Sequence, residues 1–312
     1  MLVAVLGVPG ARAQAVETVG ARALGMGGAF VAVANDSSAT WWNPSGLATG
    51  PFADVTLGMA AAGADQSPGR ARAWFVAVAM PALAASHYRL RITDIDSLGP
   101  TVVPEAGRQE GRVGVPPQSL KLGQFGVTVV HSVFPRLHAG ATFKLLHGAV
   151  EGNGSGSTEH RVDADVGLLG VVGPVRLGLV ARNLSEPVLR APADGFPAVH
   201  LDRHVRLGVA YDGDLLPAGR TQPFIVSLDA DLHAYDTVRG PRRVLAAGAE
   251  RWIAGRRLAV RGGARFNQVG ARERAASVGA SLAILKNVVA EIHAAAGSRA
   301  ERGWGVAARA SF

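Results

Sequence analysis

The chain of 312 residues contains no cysteine, few charged residues and no long uninterrupted hydrophobic run. The lack of cysteine excludes a disulfide framework, a thiolate metal site and a cysteine nucleophile. Hydrophobic residues make up 48% of the chain, yet no apolar stretch reaches the roughly 18 residues that a membrane-spanning helix needs. These absences argue against a helical membrane protein and favour a chain that spreads its apolar residues over many short segments.

The formal net charge of +8 comes mostly from arginine. The basic residues are scattered at alternating spacing and form no basic helix or arm, so nucleic acid is not a predicted partner. Contact with the lipids of a membrane, or an arginine-lined lumen, accounts for the charge better.

The N-terminus has the features of an exported protein. Residues 1–15 contain a short apolar run and end in Ala13-Gln14-Ala15, the small-x-small pattern that signal peptidase cuts. The usual positively charged start is missing, which leaves open a translation start farther upstream or a chance apolar N-terminus. The sequence predicts a signal peptide remnant over 1–15 and a mature chain from Val16.

From residue 53 onward the chain alternates apolar and polar residues with period two, which is typical of strands whose two faces differ. In residues 257–266 the apolar side chains share one face and the arginines share the other. An apolar outer face and an ionic inner face predict an all-β fold over residues 53–312. The architecture is an antiparallel transmembrane β-barrel of about 14 strands. An N-terminal plug segment over 16–52 precedes it.

The lumen of this barrel is predicted to carry a row of polar side chains, which are Arg257, Arg261, Arg265, Asp229, Asp231, His233, Glu291 and His293. The simplest explanation is structural: these acidic and basic side chains pair with one another across neighbouring strands inside the lumen. The alternative is catalysis, as in an outer-membrane acyl hydrolase, but no Gly-x-Ser-x-Gly elbow occurs. His200 and His204 lack the helix and the glutamate of a zinc protease motif. The prediction is therefore a protein that is not an enzyme and has no metal or cofactor.

The connections between the predicted strands alternate in length, as periplasmic turns and extracellular loops do. Short connections are predicted near Pro135, Gly173, Gly255 and Lys286, and long ones over 93–121, 148–159 and 184–202. A longer connection at 212–221 breaks this alternation.

The C-terminus ends in an outward apolar row that includes Trp304 and terminates at Phe312. Outer-membrane barrels resemble one another in this final strand, because the barrel assembly machinery recognises it. The resemblance implies that this machinery is a partner and that the protein lies in the bacterial outer membrane.

Residues 19–48 are rich in glycine but are not a strand pattern. A phosphate-binding reading fails, because no lysine follows the glycines and the third glycine is misplaced. Glycine allows close backbone approach, and Asn43-Pro44 starts a turn, so a compact segment packed inside a pore fits better. Trp41 and Trp42 either line a hydrophobic ligand site or pack the plug against the wall. The residues predicted to form the plug or contact a ligand are Gly25, Gly27, Gly28, Trp42, Asn43 and Pro44.

This segment resembles the opening motif of the PorV/PorQ family of outer-membrane proteins, distant relatives of the FadL-type transporters. The matching residues are Gly20, Arg22, Ala23, Gly25, Met26, Gly27, Gly28, Ala29, Asp36, Ala39, Trp42, Asn43, Pro44, Gly46 and Leu47, with Ser45 where the family has alanine. Residues 165–169 and 177–184 form a second similar patch. The resemblance implies a fourteen-stranded barrel with an N-terminal plug, acting as a conduit for hydrophobic small molecules. It implies, as the alternative, a shuttle or scaffold for secreted protein cargo that binds at the long loops.

Overall fold

The computed structural model describes residues 18–64, 70–80, 82–95, 118–152, 155–189, 199–215, 223–237 and 240–312. The signal peptide predicted over 1–15 lies outside these residues. In the described part of the chain, no helix has the length and apolar character needed to cross a membrane.

Fourteen antiparallel strands close into a barrel, and four further short strands form two hairpins that are not part of its wall. The strands are β1 Asp54–Ala64, β2 Arg70–Met80, β3 Leu83–Ile95, β4 Gln118–Phe134, β5 Leu137–Gly152, β6 Ser155–Val172, β7 Val175–Arg182, β8 Val188–Leu189, β9 Val199–His200, β10 His204–Asp212, β11 Phe224–Asp231, β12 Tyr235–Thr237, β13 Gly240–Arg242, β14 Val244–Ile253, β15 Leu258–Asn267, β16 Arg274–Leu285, β17 Val288–Gly297 and β18 Glu301–Ser311. The predicted all-β barrel of about fourteen strands is confirmed.

The wall follows from the alternating sequence, because successive side chains of a strand point to opposite faces. Along β2, burial alternates between inward Ala73, Phe75 and Ala77 and outward Trp74 and Val78. Closure pairs β1 with β18, so the wall has no free edge of unpaired amides. At this seam, Phe312 and Ala53 exchange backbone hydrogen bonds while the Phe312 side chain stays exposed.

The N-terminal segment fills the lumen. It contains the short helices α1 Ala21–Gly25 and α2 Ala39–Trp42 and the 3-10 turn Pro44–Thr49. The side chain of Asn43 caps this turn by accepting from the Ser45 amide, and proline follows at the first position of the turn, where its missing N–H costs nothing. We call residues 18–53 the plug.

The two ends of the barrel differ. We call the end with the short turns at 135–136, 173–174, 254–257 and 286–287 the turn end, and the opposite end the loop end. The predicted long connection at 148–159 is wrong, because β5 and β6 stay paired up to Gly152 and Ser155. Most of the other long connections, 96–117 and 190–198, lies outside the described residues. Strands β4 to β6 are about twice as long as β7 and β11, so the wall is taller on one side.

Candidate functional site

Arg22 joins the plug to the wall through buried ion pairs. Its guanidinium donates from Nε to Glu250 Oε2 at 3.0 Å and from Nη2 to Oε1 at 2.9 Å. Within the plug, Arg22 Nη1 also lies 3.2 Å from Asp36 Oδ2. Arg261 of β15 pairs with the same Glu250 at 3.1 Å. A planar guanidinium that meets a carboxylate with two donors fixes orientation as well as charge.

The charges of the plug stabilise one another. Burial alone would lower the pKa of Arg22, but Glu250 and Asp36 outweigh it and raise the pKa above its ordinary value. Burial would likewise raise the pKa of Asp36, but Arg22 and Arg309 hold it below its ordinary value. Both groups are therefore charged at neutral pH.

Wall side chains also satisfy the plug backbone. The Asp229 carboxylate accepts the amides of Phe30 and Val31, both at 2.8 Å. The Asn43 amide group donates to the carbonyl oxygens of Val31 in the plug and of Leu168 in β6. These plug amides and carbonyls have no partner in a helix or strand. Side chains of the wall and of the plug form their hydrogen bonds instead, because buried polar groups need a partner.

Inward glycines let the plug touch the wall. The Cβ atom of an alanine at Gly263 would lie 2.1 Å from the Met26 carbonyl carbon, and one at Gly178 would lie 2.6 Å from the Val31 oxygen. The wall positions where an added Cβ meets plug atoms within 3 Å are Gly140, Gly167, Gly178, Gly208, Gly248 and Gly263. We call these six the glycine band. A backbone without a side chain is required wherever two chains approach this closely.

Four of the six predicted plug residues, Gly25, Gly27, Asn43 and Pro44, lie where plug and wall meet. Gly27 and Gly28 have positive φ values of 71° and 83°, a conformation that favours glycine. A Cβ at Gly25 would lie 2.8 Å from Arg261 Cδ, and Pro44 faces Gly140 of β5. Whether these residues contact a ligand stays a prediction.

Six of the predicted lumen-facing residues lie on the inner face of the wall. Asp229, Asp231, Arg261, Glu291 and His293 are buried there, and Arg265 is half-buried beside Glu301 at 3.0 Å. Asp231 accepts from His204 and Arg206, both at 2.6 Å. The inner polar side chains thus pair within the wall as well as with the plug.

Arg257 and His233 are not lumen-facing, so these two predictions are wrong. Arg257 lies exposed in the turn before β15, where its amide donates to the Ala254 oxygen. His233 follows the end of β11 and is exposed, with Nε2 2.8 Å from the Arg203 oxygen. In both cases the alternating pattern continues past the end of the strand, where the chain no longer follows the wall.

The two adjacent tryptophans have different surroundings. Trp42 lies inside the plug, where its ring packs edge-on against Phe30 and Nε1 donates to the Val19 oxygen at 3.0 Å. Trp41 faces the wall, with its ring centroid 4.6 Å from that of Tyr88 and 4.1 Å from the Arg182 guanidinium carbon. Trp42 therefore packs the plug, and Trp41 forms its contact with β3 and β7.

Above Trp41, toward the loop end, one side of the lumen is apolar. Leu90 lies opposite Leu122, and Ile92 lies opposite Leu120, on adjacent strands of the inner wall. The buried side chains of this apolar lumen face are Phe75, Leu90, Ile92, Leu120, Leu122 and Leu146. Leu189 of the β8–β9 hairpin packs against Gly148 of β5 and covers part of it. Charged side chains border this face on β5 and β6, where Lys144 pairs with Asp163 and Asp165, and they continue over the ionic side of the lumen from β10 to β18.

A cavity of about 30 Å³ lies between the plug and the wall near Leu24, Gly27, His293 and Glu301. Alanines of β1, β16 and β17 line much of it. This volume holds about one or two water molecules, whereas benzene needs a cavity of roughly 150 Å³. At this place the plug blocks a hydrocarbon.

Ser132 and His138 are candidates for covalent chemistry. They lie opposite each other on β4 and β5, with Ser132 Oγ 2.9 Å from His138 Nδ1. Among the described residues no carboxylate is hydrogen-bonded to His138, so the pair lacks the third group of a catalytic triad. The described residues also contain no group of three or more histidine, aspartate or glutamate side chains arranged to hold a metal.

The residues predicted to face the lumen did not include Arg22, Asp36 or Glu250, which fix the plug, and Arg176 contacts the plug as well. Arg176 donates to the Ala32 oxygen at 2.7 Å and to Thr49 Oγ1 at 2.9 Å. Glu250 and Arg176 are each a charged residue at an inward strand position next to an inward glycine, Gly248 or Gly178, and this is the signal that could have found them.

The geometry defines a class of protein, a closed fourteen-stranded barrel with a tightly docked N-terminal plug. No protein-family model matches the sequence, and no curated protein matches it. Solved structures do match over nearly the whole chain.

The chain is similar to the CymD monoaromatic hydrocarbon channel, with a TM-score of 0.67 and 12% identity over 95% of this chain and 98% of that one. It is similar to the Pseudomonas putida toluene transporter TodX, with a TM-score of 0.61 and 12% identity over 96% and 98%. A Pseudomonas aeruginosa FadL homologue matches with a TM-score of 0.61 and 11% identity over 95% and 99%. At these identities the likeness shows a shared fold and no more. The PorV/PorQ resemblance has no counterpart among these structures.

Proposed function

We propose that this protein is an outer-membrane channel for hydrophobic small molecules. The observation that carries the proposal is the apolar lumen face, which ends on Trp41 and Tyr88 at the plug. A water-filled pore has a polar interior, whereas buried leucines inside a barrel suit an apolar solute. The proteins that share the fold include a monoaromatic hydrocarbon channel and a toluene transporter, which supports the same class of solute.

In this proposal, a solute enters from the loop end and displaces the β8–β9 hairpin from the apolar lumen face. It then meets the plug, whose docking leaves no passage for it at the alanine-lined cavity. Release toward the turn end therefore requires the plug to shift. The ion pairs of Arg22 and the glycine band set the free energy that this shift requires.

The test is uptake of radiolabelled toluene and of laurate by cells that express the protein and have no similar channel. Leu122→Asn and Leu90→Asn keep the side-chain size and place an amide on the apolar lumen face. We expect each to lower uptake about tenfold or more, because an amide that loses its water to an apolar solute costs about 1–3 kcal/mol, and about 1.4 kcal/mol is a factor of ten. Arg265→Gln, on the ionic side of the lumen, is the matched control and should retain uptake.

Folded protein is verified for each variant by its amount in the membrane and by its resistance to urea. Equal uptake by the two asparagine variants and the wild type would refute the channel proposal. Ser132→Ala tests the enzymatic alternative, and we expect unchanged uptake and no change in the products recovered.

Assembly and location belong to the same proposal. We infer that the exposed Phe312 ring at the seam is a signal to the barrel assembly machinery, because the backbone alone forms the seam there. Phe312→Ser keeps those backbone bonds and should lower the yield of membrane-inserted protein. A role as scaffold for secreted proteins remains the alternative, and a stoichiometric protein partner that copurifies in place of any apolar ligand would favour it.

A further inference from the structure

Three basic side chains face outward in a row at the loop end of the barrel. Arg72 on β2 lies directly opposite Arg91 on β3, and Arg91 lies directly opposite Lys121 on β4. Side chains directly opposite each other on adjacent strands have Cβ atoms about 5 Å apart, and like charges in such positions are destabilising. This row therefore concentrates positive charge at a cost in stability.

The next outward row, toward the turn end, is aromatic and imidazole-rich. Trp74 lies opposite Arg89, and its ring centroid is 4.8 Å from that of His87. His87 stacks with His147 at 6.2 Å, and His147 is followed by His160 at 6.3 Å. The His147 ring lies across the bare backbone of Gly123, where an added Cβ would come within 1.9 Å of it.

Beyond these two rows, the same strands carry an apolar belt. Phe125, Phe143 and Leu145 each expose about half of their surface outward. The order along the wall is therefore basic, then aromatic and imidazole, then apolar. This is the order in which a membrane presents anionic headgroups, the interface and the hydrocarbon.

Arg72, Arg89 and Arg91, which we call the patch, lack carboxylate partners within the described part of the chain. No ion pair there includes Arg72, Arg89 or Arg91, whereas the inward arginines Arg22, Arg206 and Arg261 all have one. Exterior arginines on other strands stand apart, as Arg274 does over the Phe266 ring. Among the residues that the structure describes, outward basic residues cluster only on β2, β3 and β4.

We propose that this patch binds a phosphate-bearing lipid of the membrane leaflet at the loop end. Arg72, Arg89 and Arg91 hold the phosphate groups, and the acyl chains lie on the apolar belt. Arginine suits this role because its planar guanidinium meets a phosphate with two donors. The inference rests on the proposed function only in placing the barrel in a membrane, and it needs no transport through the lumen.

The test is native mass spectrometry of the purified full-length protein in detergent. The probe is a bisphosphorylated, acylated glucosamine disaccharide, compared with its dephosphorylated form and with inorganic phosphate. The variant is Arg72→Gln/Arg89→Gln/Arg91→Gln. The control is Arg251→Gln/Arg257→Gln/Arg302→Gln, which removes the same charge from exposed arginines elsewhere.

We expect the patch variant to bind the bisphosphorylated probe at least about tenfold more weakly, since each basic residue near an anionic surface contributes a factor of roughly five. The control variant and the wild type should bind alike. Equal binding by the patch variant, or equal binding of the dephosphorylated probe, would overturn the proposal. Full competition by inorganic phosphate would reduce the patch to an anion site without lipid.

Two further measurements separate this proposal from the channel. Extraction of the protein from membranes by urea would show that it is not inserted in the membrane and would refute both proposals. Unchanged lipid binding in the patch variant, with toluene uptake intact, would sink only the lipid site.

Discussion

Arg22 of the plug and Glu250 of β14 lie 228 residues apart in the chain and form a two-donor ion pair inside the barrel. The pair is buried on both sides, with side-chain exposures of 7% and 1%. A buried pair adds little net stability when it is compared with apolar residues of similar size, but the loss of one partner leaves a charge stranded out of water. The pair therefore ties the position of the plug to the integrity of the wall.

Replacement of Arg22 by methionine should destabilise plug docking by about 3 kcal/mol. This is the low end of the range for loss of one partner of a buried ion pair, because Arg261 remains beside Glu250. Hydrogen exchange of the α1 amides measures this. Arg257→Met, an exposed arginine in a turn, should change exchange by less than about 0.5 kcal/mol. Equal protection of α1 in both variants would contradict the assigned role of the pair.

Gly263 and its neighbour Gly262 offer a matched pair for the glycine band. A Cβ at Gly263 would meet plug backbone at 2.1 Å, while one at Gly262 faces outward, with its nearest atom 3.8 Å away. Gly263→Ala should displace the plug and open the lumen to ions, because neither backbone has room to move aside. Gly262→Ala should leave it closed. Single-channel conductance in planar bilayers distinguishes them, and a closed Gly263→Ala channel would speak against the band.

Trp41 and Trp42 should respond differently to substitution. Trp42→Ala removes a fully buried ring of the plug and should cost about 3–5 kcal/mol, exposing the N-terminal segment to limited proteolysis. Trp41→Phe keeps an aromatic ring against Tyr88 and should preserve protease resistance while changing the affinity for toluene, followed by calorimetry. Proteolysis of both variants at the same rate would show that Trp41 belongs to the plug core as well.

The docking of the plug should resist mild acid. The folded pKa of Asp36 is below its ordinary value of 3.8, so its contribution is present above 3.8 and is lost as the pH falls through the lower folded value. Tryptophan fluorescence of the plug should therefore stay constant from neutral pH to about 4, as far as Asp36 controls it. Asp36→Asn should remove this component of the acid transition. An unchanged transition in Asp36→Asn would exclude Asp36 as its source.

The barrel could be predicted because its wall depends on a period that the sequence repeats many times. The alternation of Val260, Arg261 and Gly262 sets the two faces of β15 wherever the strand lies. Strand ends depend instead on local turns. Arg257 and His233 were misplaced because the pattern ran on beyond the hydrogen bonds, and the β5–β6 hairpin was missed because Gly152 and Ser155 still pair in a glycine-rich stretch.

The site was less accessible to sequence reasoning. The plug could be recognised as a glycine-rich segment, but its contacts on the wall lie far away in the chain. Asn43 of the plug, for example, contacts Gly167 of β6. A glycine at an inward strand position has no polarity that marks it as a contact. The apolar lumen face was hidden for a related reason, since Leu90 and Leu122 alternate with outward basic residues and invert the pattern expected of the wall.

The position of the plug at the start of the chain bears on the order of assembly. The plug is made before the wall strands and becomes the interior, where it contacts strands on both sides of the seam between β1 and β18. The wall thus encloses the plug, and the wall glycines leave room for the backbone of the plug. A chain lacking residues 18–53 would lose the core on which its wall is shaped, so its wall strands would have to close around an empty bore.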